Sequence, residues 1–319
     1  MPSDIKLLFL DFETYYDNEY SLRKMPTPNY ILDPRFECQM VAVEEFGVGA
    51  QIIDGPDFPH YLKQFDPRKT ITVSFNALFD ASILAWRYGF VPVRTLDTMG
   101  MARALMGHKL VRFSLGAVAE ALGLGAKGNA LVKVLGMHAP EIKSRGLWRE
   151  FSAYALQDNV LNRDIFLRLI PHFPVSERRL MDLTLRCAIE PRFRMDIGML
   201  TQHLADVRVA KAELLAGAGV ELTQLMSAQK FKEALEALGV EVETKVTVGA
   251  QTKADATGEP PVRTPAFAKT DEFMAGLLDH ENPAVQALAA ARLGFKSTLE
   301  EARTEKMLSI ARLDWSFLK

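Results

Sequence analysis

Two acids one residue apart close the first apolar run of the chain, Ile5-Lys6-Leu7-Leu8-Phe9-Leu10-Asp11-Phe12-Glu13-Thr14. Residues i and i+2 of an extended strand project to one side, so Asp11 and Glu13 face a common point. Carboxylates held that close repel each other and call for protons, basic groups or a cation. A hard divalent ion with oxygen ligands, such as Mg²⁺, is the natural partner. Two further acids stand where they could join them. Asp80 lies just inside a helical pattern that follows the apolar run Ile71-Thr72-Val73-Ser74, and Asp158 lies on a long helix with Tyr154 one turn before it on the same face. Each of these has a plainer reading beside the chemical one. Asp80 suits a helix N-terminus, and Asp158 with Tyr154 suits a solvated helix face. Asp97 before Thr98 reads as a helix cap and is left out of the set.

The elements that must position these groups read as an α/β domain. After the acidic strand comes an irregular polar stretch, Tyr15 to Phe36, holding Pro26, Pro28 and Pro34. Strands follow at Gln39–Val43 and Gln51–Ile53 around a Gly47-Val48-Gly49 turn, then at 71–74 and at Leu96–Thr98. Helical patterns cover the segment through Leu84, Trp86 and Tyr88, Met99–Met106, Leu115–Leu122 capped by Ser114, and Leu147–Leu169 ending at Pro171. Gly125 to Gly146 reads as loop. Past Pro174 the pattern turns helical: 175–189, 196–215, 227–238, 269–279 and one long helix from Pro283 to about Leu313. Glu241 to Pro265 reads as an extended excursion. The expected division is residues 1–174 and 175–319, with 241–266 an extended loop.

Composition narrows the classes. With 48% hydrophobic and 24% charged residues the chain is an ordinary globular protein, and a net charge of −2 gives no overall basic field, which leaves room for a local basic groove. Cys38 and Cys187 lack CxxC spacing, so neither a disulfide scaffold nor a zinc site is expected. There is no HExxH or GxxxxGK[ST] motif. No apolar stretch has the length of a membrane span, and no signal-peptide pattern opens the chain, so the expected partner is not a membrane and the expected location is the cytoplasm.

LFLDFET, SFNALFD and YALQD together resemble, in order and spacing, the three motifs of the DnaQ-like DEDD superfamily of 3′→5′ exonucleases. Tyr154, four residues before Asp158, resembles the tyrosine branch; the histidine branch has His five before, where this chain has Ala153. The resemblance implies a ribonuclease H-like fold, a mixed sheet flanked by helices, and hydrolysis assisted by two Mg²⁺ or Mn²⁺ ions about 4 Å apart. It implies that Asp11 bridges the ions, that Glu13 and Asp158 complete the site of the attacking water, that Asp80 holds the second ion, and that Tyr154 orients the water. Phe12, Thr14, Asn76 and Phe79 are expected to shape the pocket for the terminal nucleotide.

The helical half resembles the thumb of phage-type family A DNA polymerases. Glu190-Pro191-Arg192-Phe193-Arg194-Met195-Asp196 resembles the entry to their polymerase region, and Ser227 to Gly239, Phe267 to Thr270 and Ala287 to Ile310 resemble the thumb itself. Lys296, Arg303 and Lys306 are then candidate phosphate contacts, or a solvated face balanced by Glu300, Glu301 and Glu305. Palm and fingers motifs do not follow in this chain. The expectation is a proofreading-type exonuclease acting on single-stranded or primer–template DNA, with a separate palm and fingers chain as possible partner, in a bacterial or phage-infected host cytoplasm. The rivals are an RNA exonuclease of the ribonuclease D kind and a non-catalytic DNA-binding or assembly subunit.

Overall fold

The computed structural model describes residues 5–125, 133–296 (without the Lys296 side chain) and 299–317. The chain divides into two compact units, Met1–Arg194 with Arg312–Lys319, and Met195–Ala311.

The first unit is built on a five-stranded mixed sheet. Its strands are β1 (Lys6–Thr14), β2 (Cys38–Glu45), β3 (Gly49–Asp54), β4 (Thr70–Ser74) and β5 (Arg94–Asp97), in the spatial order β3-β2-β1-β4-β5. β1 is central. It pairs antiparallel with β2 and parallel with β4, and β5 continues the parallel half. The helices are α1 (Thr27–Leu32), α2 (Phe58–Leu62), α3 (Leu78–Tyr88), α4 (Thr98–Met106), α5 (Leu115–Ala121), α6 (Ala139–Ser144), α7 (Trp148–Leu169) and α8 (Val175–Ile189). This is the mixed sheet flanked by helices that the motifs led one to expect.

Two apolar layers hold the sheet, and the alternation of β1 assigns its side chains to them. Leu8, Leu10 and Phe12 pack with Ala81, Ile83 and Leu84 of α3. Phe9 packs with Leu161, Ile165 and Phe166 of α7, meeting the Phe166 ring edge-on at 5.5 Å. Odd positions of β1 therefore look toward α7 and even positions toward α3.

Several local features differ from the sequence reading. The polar stretch after β1 contains α1, with Pro28 in its first turn where a missing N–H costs nothing. The part of 125–146 that is described includes α6; residues 126–132 of that expected loop lie outside the described residues. The first unit also runs on past Pro174 to Arg194. α8 adheres to it because Asp182 Oδ1 accepts the Thr95 N–H at 2.8 Å and Trp86 Nε1 donates to the Ile189 carbonyl at 2.9 Å. Such buried polar ties are invisible to helical periodicity.

The second unit holds α9 (Ile197–Ala218), α10 (Leu222–Met226), α11 (Ala228–Ala237), β6 (Thr244–Val246), α12 (Val248–Thr257), β7 (Arg263–Pro265), α13 (Glu272–Gly276), α14 (Pro283–Lys296) and α15 (Leu299–Ala311). The expected extended loop 241–266 is corrected here: it is a two-stranded ribbon, β6 on β7, enclosing a helix. Thr247 Oγ1 caps α12 by accepting the Ala250 N–H at 3.2 Å, and Gly258, at φ 75°, ends it. The expected helix 283–313 is present as α14 and α15. Phe231, Phe267, Met274, Leu277 and Leu288 form the core. Among the described residues no helix is long and apolar enough to cross a membrane.

Candidate active site

β1 outruns its parallel neighbour. The β1–β4 register ends at Phe9 opposite Val73, and Ser74 Oγ closes the seam by donating to the Leu10 carbonyl at 2.9 Å. Beyond that point Asp11 to Thr14 stay paired with β2, across a register shift between Glu13 and Thr14. α3 begins in the space that β4 leaves. Its first turn carries Asp80, whose Oδ1 accepts the Phe12 N–H at 3.1 Å. A carboxylate from α3 is thereby fixed at the strand end that bears Asp11 and Glu13.

α7 brings the remaining groups to the odd face of β1. Its register on the sheet is set by two buried polar ties. Asn162 Nδ2 donates to the Val73 carbonyl at 3.1 Å while its Oδ1 accepts the Thr98 hydroxyl at 2.6 Å. One position on, Arg163 Nη1 reaches both oxygens of Glu44 on β2 at 3.0 Å. Asp158 sits one turn before Asn162 and Tyr154 one turn before that, both buried on the same helix face.

The acids and Tyr154 feel one another's charge. Burial pushes the Asp80 carboxyl well above the usual range, and the Asp11 charge pushes it further, against the Phe12 N–H. Burial likewise drives the Tyr154 phenol far above its ordinary value, followed by the fields of Asp158 and Glu13, a hydrogen bond with Asp158 and the field of Asp11. Tyr154 is thus a protonated donor at neutral pH, unsuited to act as a base. With Asp80 3% exposed and Asp158 4%, the cluster concentrates negative charge away from water, a costly arrangement unless something positive compensates it.

The donor set is entirely oxygen, which suits Mg²⁺ or Mn²⁺ in type. As the side chains stand, no three His, Cys, Asp or Glu residues among the described ones close on one point as a metal cage. Residue chemistry fits a divalent ion, and a closed cage would require side-chain adjustment.

Asp97 belongs to the frame. Its Oδ1 accepts the Met99 N–H at 3.0 Å, capping α4, and the Asn76 N–H at 2.8 Å. Asn76 needs that tie, because it takes the left-handed φ of 64° that turns the chain from β4 into α3. Its cap role agrees with the sequence reading.

Beside Glu13 opens a cavity of about 730 Å³. Phe12, Thr14 and Phe79 line it, while Asn76 stands outside the lining. Phe12 is also core, edge-on to Phe58 at 5.2 Å. Thr14 Oγ1 meets Tyr30 Oη at 2.7 Å. The rest of the lining comes from Tyr16, Asp17, Asn18, Ser21, Leu22, Arg23, Lys24, Tyr30 and Leu135, nearly all from the stretch that periodicity leaves blank. Its only sequence signal is aromatic density at Tyr15, Tyr16, Tyr20 and Tyr30 beside Arg23-Lys24.

In the second unit Arg303 and Lys306 are exposed on α15. The Lys296 side chain lies outside the described residues. The acids expected to balance these cations are engaged elsewhere: Arg208 and Lys211 of α9 pair with Glu301, Arg208 also with Glu305, and His203 with Glu300.

No protein-family model matches the chain, and no curated protein matches it in sequence. Among solved structures the chain is similar to Brucella melitensis NrnC bound to pGG, at 16% identity and TM-score 0.41 over 59% of this chain and 86% of that one. It is similar to the POL domain of Pol1 from M. smegmatis in complex with DNA primer-template and dNTP, at 16% identity and TM-score 0.49 over 93% of this chain and 46% of that one. It is also similar to Escherichia coli RNase D, an exoribonuclease involved in structured RNA processing, at 15% identity and TM-score 0.38 over 72% and 55%. Overlaps this partial, at such identities, assign no activity to the chain.

Proposed function

We propose that the chain is a metal-dependent 3′→5′ exonuclease that removes nucleotides from single-stranded or frayed DNA ends as nucleoside 5′-monophosphates. The observation that carries this reading is the convergence of Asp11 and Glu13 from β1, Asp80 from α3 and Asp158 with Tyr154 from α7 on one strand end. The three motifs that led to the expectation supply those same five residues.

Asp11, Glu13, Asp80 and Asp158 would hold the ions. A bound pair of divalent cations activates the attacking water and stabilises charge on the phosphate and the leaving oxygen. The chain's own residues do the positioning. Tyr154, protonated and hydrogen-bonded with Asp158, presents a donor that orients the water. The apolar floor of Phe12 and Phe79 accepts a base or sugar face, and Thr14, steadied by Tyr30, offers a hydroxyl at the rim.

DNA is favoured over RNA as substrate by the thumb-like sequence of the helical unit, whose exposed Arg303 and Lys306 are candidate phosphate contacts. Hydrolysis of 5′-labelled single-stranded DNA and of the matched RNA, with Mg²⁺ or Mn²⁺, tests the reading. A ladder shortening from the 3′ end, abolished by chelator, Asp11→Ala or Asp158→Ala, is expected. Preference for the RNA would replace the DNA assignment with a ribonuclease D-like one, and a folded protein inert on both would leave a binding or assembly role.

A further inference from the structure

The cavity beside Glu13 has a cationic side that the hydrolytic site does not use. Arg23 and Lys24 both line it, both are exposed, and neither forms an ion pair among the described residues. Tyr16 lines the same cavity, and its phenol is pushed up by burial and by the Glu13 charge, against the Arg23 charge.

The backbone that carries the two cations is built firmly. Asp17 Oδ1 accepts the N–H groups of Glu19 and Tyr20 at 2.7 and 2.6 Å, and Tyr15 Oη donates to Asp17 Oδ2 at 2.8 Å. Asp17 also lines the cavity, and these bonds hold its carboxylate against its own turn. The N–H groups of Lys24 and Met25 both donate to the Ser21 carbonyl, at 2.9 and 3.1 Å. Beneath the turn the Tyr20 and Tyr30 rings stack at 4.4 Å. A segment so braced presents Arg23 and Lys24 at a defined place, where two free basic side chains on a loose loop would not.

We propose that Arg23 and Lys24 form a phosphate clamp for the nucleic-acid strand, holding backbone phosphates inward of the one undergoing hydrolysis. This inference rests on the nuclease reading above. A strand entering the site brings one negative charge per nucleotide toward a cluster of carboxylates. Ions at the acids neutralise the scissile phosphate only, so the neighbouring phosphates need a separate cationic surface, and this lining supplies one beside the apolar floor that receives the terminal residue. Arg offers a planar fork to phosphate oxygens and Lys a point charge.

The test compares the wild type with Arg23→Ala/Lys24→Ala and with the charge-keeping Arg23→Lys/Lys24→Arg. Single-stranded oligothymidylate binding is read by fluorescence anisotropy in Ca²⁺, and hydrolysis in Mg²⁺, each over a salt series. The expected result is binding weakened at least about tenfold, with KM raised in parallel, kcat changed far less, and melting temperature unmoved because both side chains are exposed. The slope of log affinity against log salt becomes shallower by about 1.4, two phosphates at roughly 0.7 each. The charge-keeping variant restores most of the affinity. Unchanged binding and salt slope in the alanine pair would overturn the clamp while leaving hydrolysis intact. A wild type that degrades nothing would overturn the nuclease reading, and the anisotropy series would still decide the clamp.

Discussion

The Phe12 N–H donates to Asp80 Oδ1 at 3.1 Å, so the bond that β4 no longer offers to β1 is made by a carboxylate from the next helix. One side chain thereby closes the sheet and adds charge to the acid cluster. Those roles separate on substitution. Asp80→Asn keeps an acceptor oxygen for Phe12 and removes a buried charge that Asp11 opposes. In chelator its melting temperature should equal or exceed that of the wild type, while hydrolysis falls by about 100-fold or more. Asp80→Leu loses the acceptor and should cost about 1–3 kcal/mol. Wild-type hydrolysis by Asp80→Asn, measured on labelled single strands, would remove Asp80 from the reacting centre.

Tyr154 contributes a ring to the core with Phe151, Ala155 and Met40, and a hydroxyl to the acids. Tyr154→Phe keeps the ring. Melting should shift by about 1 kcal/mol or less, and kcat should drop by roughly 10- to 100-fold with KM little altered, as for a lost water-orienting donor. Equal loss of stability and rate would instead make the hydroxyl a packing element.

Asn162 is outside the acid set and the cavity lining, yet it ties α7 to Val73 and Thr98. Asn162→Ala leaves the Val73 carbonyl and the Thr98 hydroxyl without these bonds and should destabilise the fold by about 2–3 kcal/mol. Because Asp158 rides one turn away, the rate should fall as well. Raising Mg²⁺ should recover part of that rate, whereas it should recover none for Asp158→Ala. A metal titration of both variants checks this.

What could be read from the chain follows from what periodicity encodes. Strand alternation alone places Asp11 and Glu13 on one side of β1, and the packing of Phe9 against Leu161, Ile165 and Phe166 shows that side to be the one facing α7. Tyr154 and Asp158 share a face through helical spacing, as do Leu161 and Ile165 beneath them. Asp80 was legible as a helix-start acid, but its bond to Phe12 depends on where β4 stops, which no local pattern states. The wall at Arg23 and Lys24 was not legible, since an Asp17 turn and stacked tyrosines build it without any repeat. Likewise the Thr- and Gly-rich run after Glu241 resembles loop in composition, and the cap at Thr247 and the stop at Gly258 turn its middle into a helix.

Arg292 is the unusual member of the second core. It is 1% exposed, donates to the carbonyls of Leu225 and Ser227, and lies over the rings of Phe231 at 4.2 Å and Phe267 at 4.9 Å. Burial pushes its guanidinium below its ordinary value. The side chain takes the Leu225 carbonyl of α10 and reaches the Ser227 carbonyl at the junction with α11, and it fills space between two aromatics. Arg292→Ala removes both contributions and should cost about 2–4 kcal/mol. Arg292→Met keeps the volume and gives up only the hydrogen bonds and ring contacts, so its melting temperature should lie between those of Ala and the wild type. A Met variant as unstable as Ala would show that the carbonyl bonds, not the volume, hold this core.

Asp271 gives the second unit an acid-side dependence. Its carboxylate accepts from Lys245 and from the Ala268 N–H at 2.7 Å, and these partners hold it below the usual carboxylate range, Lys245 most of all. A group whose value is lowered on folding contributes stability that is present above the unfolded value near 3.8 and is lost as pH falls through the folded value. Asp271→Asn should therefore melt lower than the wild type at pH 6, and the gap should close as pH falls below the ordinary carboxylate value. Lys245 sits on β6, so Lys245→Met should reproduce most of the loss, and the double variant should lose little more than either single one. Strict additivity in that cycle, read from melts at pH 6, would show that the two residues act independently.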